Sequence, residues 1–287
     1  METFIALLAA PLDYIVDPSR RLYWLFIFSA LVMASIAVTI QQQRFDLRYQ
    51  LQGLFNRSYW LNRSTLVDVQ LLLANNLIRA LLLVPLLGSH LAGTIFVGNV
   101  LQGNFGDAPT LAVSMLTVGI LYTIIFFICE DFSRFGLHLA LHKSPWLWRL
   151  HRVHHSASTL TPLTVHRVHP LEMCLYYLRG LVVFSVVSGV FIYLFKGKVH
   201  GWEILVVDCL GFLFNFFGAN LRHSPIRISF GPLEKFFISP IQHQIHHSSL
   251  PEHRDKNIGT GLALWDKLCN SWVSGRNKPR IQIAAIQ

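Results

Sequence analysis

Five long apolar runs constrain this chain more than any other feature. They cover about residues 22–40, 66–100, 111–129, 174–195 and 202–219 of a 287-residue sequence. A run of this length crosses a hydrocarbon core of about 30 Å as a helix. Inside lipid, only a helix or a closed barrel satisfies its own backbone. One such run can be a buried core helix of a soluble domain, but five cannot. Hydrophobic residues at 53% and charged residues at 14% agree, since both lie outside the usual globular range. The expected fold is therefore all-α: an integral membrane helical bundle of about four to five transmembrane helices, with a cytoplasmic helical cap. Residues 4–10 are apolar with no basic residue before them, so no cleavable signal peptide is expected.

The second run is interrupted by Asp68, Asn75, Asn76 and Arg79. An arginine at the bilayer centre costs about 3 kcal/mol or more. This helix is therefore expected to protrude at its start and to span from near Arg79 onward, with Pro85 and Gly88 as kink points. Basic residues orient the spans. Residues 41–64 hold Arg44, Arg48, Arg57 and Arg63; residues 130–173 hold Arg134, Lys143, Arg149, Arg152 and Arg167; nine more Lys or Arg follow Asn220. The opposite loops are poor in them, with none at 102–110 and only Lys196 and Lys198 near 196–201. With the basic side cytoplasmic, the start of the chain falls outside, together with Arg20 and Arg21. The net charge of +9 then reads as a surface facing anionic lipid headgroups, not nucleic acid.

Thirteen of the fourteen histidines lie beyond residue 137, and eight fall into tight patterns. His138 and His142 are four apart. His151, His154 and His155 form H-x-x-H-H, and His243, His246 and His247 repeat it. Residues i, i+3 and i+4 share one helix face, so each pattern aims imidazoles at one point. Neutral imidazoles suit iron, copper, nickel or zinc, and eight are too many for one metal, so a two-metal site is expected. The apolar hairpin at about 174–219 returns the chain to the side it left, which brings both H-x-x-H-H patterns and His223 together. His90 and His200 fall in the far half and are read as ordinary satisfied histidines. Cys129, Cys174, Cys209 and Cys269 lack paired metal spacing and are read as reduced, small apolar residues.

The run Trp148-Arg149-Leu150-His151-Arg152-Val153-His154-His155, then Arg167-Val168-His169-Pro170-Leu171-Glu172, resembles the fatty acid hydroxylase/sterol desaturase superfamily. So do Asn220-Leu221-Arg222-His223, Gln242-His243-Gln244-Ile245-His246-His247, and His253, Asp255 to Gly259 and Leu264-Trp265-Asp266. The likeness covers roughly residues 115–272. It departs from the family pattern at Leu139, at His166, and at Gly218 and Asn220, which leave His223 as the one clear histidine between clusters. The resemblance implies a membrane enzyme with a histidine-held iron pair. It would use O2 and external electrons to hydroxylate or desaturate a lipid, with zinc able to occupy the site in purified samples. The implied metal set is His138, His142, His151, His154, His155, His223, His243, His246 and His247.

Asp131 lies two helical turns before His138. With Glu172 and Asp255 it is expected to serve as a ligand or to orient a ligating imidazole; a solvated charge or a helix cap is the alternative for each. His169 and His253 stay open between those roles, and His166 is expected to be exposed. Arg179, inside the fourth run, can snorkel or bind a lipid headgroup or carboxylate. Asp208, in the fifth run, is read as a packing or functional acid. No haem, flavin or G-x-G-x-x-G signature is present, so electrons would come from a ferredoxin or cytochrome b5-like donor.

The division expected is an N-terminal transmembrane region at 1–110, a catalytic region at 111–275 and a basic tail at 276–287, in a bacterial inner membrane. An ether-lipid or amino-lipid monooxygenase of the same superfamily is the nearest alternative. A zinc-dependent membrane hydrolase is more distant. A metal transporter fits poorly, because transport sites lie near the midplane and these clusters lie past span ends.

Overall fold

The computed structural model describes residues 14–108, 111–195, 209–277 and 279–283. Among them there is no strand, only two isolated bridges, Phe237 with Leu262 and Ser248 with Ile283. The principal helices are α1 (Trp24–Gln42), α2 (Leu47–Leu54), α3 (Arg63–Ile78), α4 (His90–Phe105), α5 (Met115–Lys143), α6 (Pro145–His155), α7 (Pro170–Leu194), α8 (Cys209–Phe216) and α9 (Pro240–His246).

Four segments are long and apolar enough to cross a membrane: Trp24–Gln42, Arg63–Phe105, Met115–Lys143 and Pro170–Leu194. Only 11–28% of an apolar 18-residue stretch in each is buried inside the protein, and outward side chains such as Leu86, Phe96, Leu116 and Val182 form an apolar exterior. A monomer in water does not expose so much contiguous apolar surface. Residues 202–208 of the fifth run lie outside the described residues, and α8 belongs to the part that is described.

The long second segment is not straight. Pro85 cannot donate to the turn before it, and a π-helical turn at Arg79–Leu83 precedes the short helix Val84–Leu87. Gly88, at φ 78°, then breaks the helix before Ser89 caps α4. This kinked segment runs parallel to α7: Asn75 donates to the Val168 carbonyl, Tyr177 to that of Gly88, and Tyr193 to that of Gly106. Small residues let the two approach, since a methyl at Gly93 would strike Ser185 and one at Gly189 would strike Val97. Helix α5 lies antiparallel to α7, with Tyr122 on Ser188 at 2.6 Å and Val118, Val187 and Phe191 packed around them.

At 29 residues α5 is about 44 Å long, longer than a hydrocarbon core, so its last turns carry His138 and His142 beyond the apolar zone. Three cap–proline pairs then start the helices that follow. Ser144-Pro145 opens α6, His169-Pro170 opens α7, and Ser239-Pro240 opens α9 with a capping box to Gln242. Proline is preorganised at the first helical position, and the cap satisfies a free N–H.

The structure corrects the expected placement of Arg20 and Arg21. Arg20 and Arg21 lie at the histidine end, where Asn220 donates to the Arg21 carbonyl at 2.9 Å. Helix α2 folds back along α1, Gln50 bonding Ser35 and Thr39, and Tyr59 already reaches the Leu160 carbonyl. The α1–α2 hairpin thus starts and ends on one side. The physical reason is the charge asymmetry itself: Arg20 and Arg21 join the other basic segments and no longer oppose them.

Candidate metal centre

Nine histidines gather at this end in two adjoining groups. His138, His142, His151, His155 and His246 form one, and His154, His223, His243 and His247 the other; ligand nitrogens within a group lie within 4.8 Å of one another. The first group draws on α5, α6 and α9, while the second takes its members from α6, α9 and the turn after α8. The nine are the residues that the sequence singled out, and neither group includes a carboxylate.

Hydrogen bonding turns one nitrogen of several rings outward. In the first group His138 Nδ1 meets the Ile258 carbonyl at 2.7 Å, His151 Nδ1 meets Glu172 at 2.7 Å, His142 Nδ1 meets Asp255 at 3.3 Å, and His246 Nδ1 meets the Lys256 carbonyl at 3.0 Å. The Nε2 atoms of His142, His155 and His246 are buried without a partner. In the second group, His154 Nδ1 lies 3.3 Å from the Arg167 carbonyl.

Facing nitrogens come close: His138 and His151 at 3.0 Å, His223 and His247 at 3.0 Å, His223 and His243 at 3.1 Å, and His223 and His154 at 3.4 Å. Ligand nitrogens about 2.1 Å from one metal sit about 3.0–3.4 Å apart for right-angle to tetrahedral openings. Inward imidazole nitrogens at this spacing suit each group to holding a metal ion.

Burial, then neighbouring positive imidazoles, lowers the basicity of these rings. His154 falls to about 3, and His151, His155, His223, His243, His246 and His247 lie well below the usual imidazole range. The cluster is therefore neutral near pH 7, the form that binds metal.

The supporting residues differ in part from the sequence expectation. Glu172 and Asp255 do orient imidazoles, although Asp255 serves His142, with Lys143 on its other oxygen at 2.7 Å, and not nearby His253. Among the described residues Asp131 hydrogen-bonds no histidine. It accepts from the Gly261 and Leu262 amides and the Trp265 indole, and so fixes the loop that presents the Ile258 carbonyl. Asp266 holds the same loop through the Ile258 and Gly259 amides.

His169 is the cap of α7, its Nδ1 accepting from the Leu171 amide at 3.1 Å, and is in neither group. His253 is buried on the turn Pro251–His253, also outside both. His166 is not exposed; it packs on Tyr14 with its Nε2 buried.

Arg179 is not on the cavity described below. It forms a two-pronged pair with Glu130 at 2.7 and 2.8 Å and bonds Ser133, fastening α7 to α5. A guanidinium inside a span is stabilised by such a pairing far more than by snorkelling. His200 and Asp208 lie outside the described residues.

Sequence reasoning missed the Arg167–Asp68 pair. Its partners are 3.1 Å apart with side chains 3% and 0% exposed. Arg167 also bonds Ser64 and Ser156, and its own carbonyl is the one on His154. The signal was Asp68 itself, a charge inside an apolar run. Sequence reasoning also missed a cavity of about 450 Å³ beside the centre, walled by His138, His151, His154, His223 and His243 on one side and by arginines on another.

The fatty acid hydroxylase family model matches residues 123–271. An alkylglycerol monooxygenase of Caenorhabditis elegans is 28% identical over 148 residues, 52% of this chain and 26% of that protein. The ornithine lipid hydroxylase OlsE of Rhizobium tropici is 29% identical over 152 residues, 52% of this chain and 40% of its own length. A human alkylglycerol monooxygenase is 24% identical over 152 residues, covering 53% and 31%. The chain thus spans well under half the length of each of these relatives. No solved structure matches it. With the match covering more than half of its length and both H-x-x-H-H patterns inside it, the chain belongs to the fatty acid hydroxylase family.

Proposed function

We propose that this chain is a membrane-bound di-iron oxygenase that hydroxylates a lipid C–H bond, using O2 and electrons from a separate donor. One observation carries the reading: nine imidazoles in two adjoining groups, nitrogens turned inward, at the end of helices long and apolar enough to cross a membrane. The relatives' names, monooxygenase and hydroxylase, favour hydroxylation over desaturation and make an ether-lipid or amino-lipid substrate a close second reading. The donor set fits iron, and zinc competes for the same imidazoles. Iron bound here would supply the oxidising power that an unactivated C–H bond requires.

The chain's own residues hold and shape the site. Glu172 faces His151 Nδ1 and Asp255 faces His142 Nδ1, and these contacts orient the rings with each Nε2 turned inward to ligate. Leu72, Val165 and Met173 give the adjoining cavity an apolar wall. The division into a region at 1–110, a catalytic region at 111–275 and a tail at 276–287 is part of the proposal. Asp68 nonetheless makes the first region a support for the second.

The histidine end would face the cytoplasm of a bacterial inner membrane, where the basic residues lie, and a ferredoxin or cytochrome b5-like donor would meet a chain of net charge +9. Labelling Lys143→Cys and Asn104→Cys in intact cells tests this; both reacting from one side would overturn it.

The reaction is tested by comparing lipids under ¹⁸O₂ from cells with the native chain and with His246→Ala. Gain of one ¹⁸O atom in a lipid, only with the native chain, is expected. Loss of two hydrogens would replace hydroxylation with desaturation. A product formed equally well without O2 would replace both with hydrolysis.

A further inference from the structure

Five arginines, Arg20, Arg21, Arg79, Arg134 and Arg222, line the cavity that the histidines share. Of the carboxylates nearby, Asp17 is paired with Arg20 and Glu130 with Arg134 and Arg179, while Glu172 shares a hydrogen bond with the neutral His151 through one oxygen. Among the described residues no carboxylate lies within ion-pair distance of Arg21, Arg79 or Arg222. Arg21 and Arg222 meet on one ring, their guanidinium carbons 5.5 and 4.4 Å from the centre of Phe214. Two like charges packed against the same ring, with no carboxylate within ion-pair distance among the described residues, repel unless an anion joins them.

Residues lining the cavity also carry polar atoms buried without partners: Asn75 Oδ1, Asn76 Nδ2, His166 Nε2 and Glu172 Oε2. Buried polar groups of this kind mark a missing polar partner. At about 450 Å³ the space is of small-molecule size, enough for a polar group and a short stretch of chain against Leu72 and Met173.

We propose that this cavity seats the anionic head group, phosphate or carboxylate, of a lipid substrate, held by Arg21, Arg79 and Arg222, so that oxidation falls on a carbon near that head group. Guanidinium forks match both anions in two-pronged geometry. The inference rests on the oxygenase reading for calling the bound lipid a substrate; the anion site itself does not.

The test is binding to the purified, metal-loaded chain in detergent, without reductant and O2, which keeps it separate from turnover. Three probes are used: dihexanoyl phosphatidic acid, dihexanoyl glycerol and inorganic phosphate. The phosphatidic acid should bind about tenfold or more tighter than either of the others, a difference of about 1.4 kcal/mol. Arg21→Gln and Arg79→Gln should each lose most of that preference with metal content unchanged, while Arg149→Gln, on Trp146 outside the cavity, should keep it.

Equal affinity for the neutral glycerol lipid, equal affinity for inorganic phosphate, or retained preference in both cavity variants would each overturn the proposal. If a glutamine variant loses metal, Arg79→Lys replaces it and should retain part of the preference; tighter binding of the neutral lipid by that variant overturns the proposal as well. A chain that binds phosphatidic acid as described but never incorporates ¹⁸O would refute the oxygenase reading and leave the anion site standing.

Discussion

In the five-histidine group four members are tied from behind, two by the carboxylates of Glu172 and Asp255 and two by backbone carbonyls. In the four-histidine group the described residues give such a tie only to His154, through the Arg167 carbonyl, and Arg21 and Arg222 are among the charges that, after burial and His154, lower the basicity of His223. Carboxylates behind imidazoles raise their donor strength, and arginines beside them lower it. The second group is therefore expected to be the weaker donor set of the two. Both groups border the arginine-lined cavity, and the second is supported indirectly, by a backbone that the Asp68–Arg167 pair holds in place.

The largest effect should come from removing a ring. His246→Ala and His223→Ala should each abolish turnover and cost about one metal equivalent, from different groups, whereas His90→Ala, packed on Phe184 away from both, should change neither. Two full equivalents in both ring variants, read by elemental analysis, would break the two-group picture.

Acid comes next. Because burial holds His154 at about 3 against about 6.5 unfolded, its neutral form adds no penalty above pH 6.5. Below that value the unfolded chain takes up the proton first, so stability falls by about 1.4 kcal/mol per pH unit until the pH nears 3. The metal-free protein should therefore melt progressively lower across that window, and a flat profile would contradict the buried neutral cluster.

Asp68→Asn should follow. It strands a buried guanidinium, at about 3–5 kcal/mol, visible as a lower melting temperature, and it should loosen metal in the His154 group first. Glu172→Gln should reduce metal affinity about 10–100-fold, in the His151 group instead. Asp255→Asn should give the smallest loss, under about tenfold, because its carboxylate is partly exposed and its bond is long at 3.3 Å. Timed chelation of the three variants reads out which equivalent leaves first; identical order in all three would erase the contrast between the groups.

The apolar runs, the kink near Pro85 and Gly88 and the gathering of nine histidines were legible in the sequence, because each follows from local rules of helix length, proline geometry and i, i+3, i+4 spacing. The basic loops and the apolar hairpin even implied that motifs ninety residues apart would meet. The division of those histidines was not legible. His154 and His155 are neighbours, yet they serve different groups, and His246 parts from His243 and His247 in the same way. Successive residues on a helix point about 100° apart, so a helix placed between two sites feeds both, and only its packing angle decides which ring goes where.

The roles of charged residues were equally hidden. Asp131 binds a loop 130 residues away and not the histidine two turns along its own helix, and Arg179 closes on Glu130 and not on a substrate. Arg20 and Arg21 sit at the cavity and not across the membrane from it. Helical periodicity fixes which side chains share a face, but a charge chooses its partner only after distant segments have packed. For that reason the sequence determined the spans and the ligand inventory, while tertiary structure decided the pairing of charges, the two-group division and the shape of the cavity beside them.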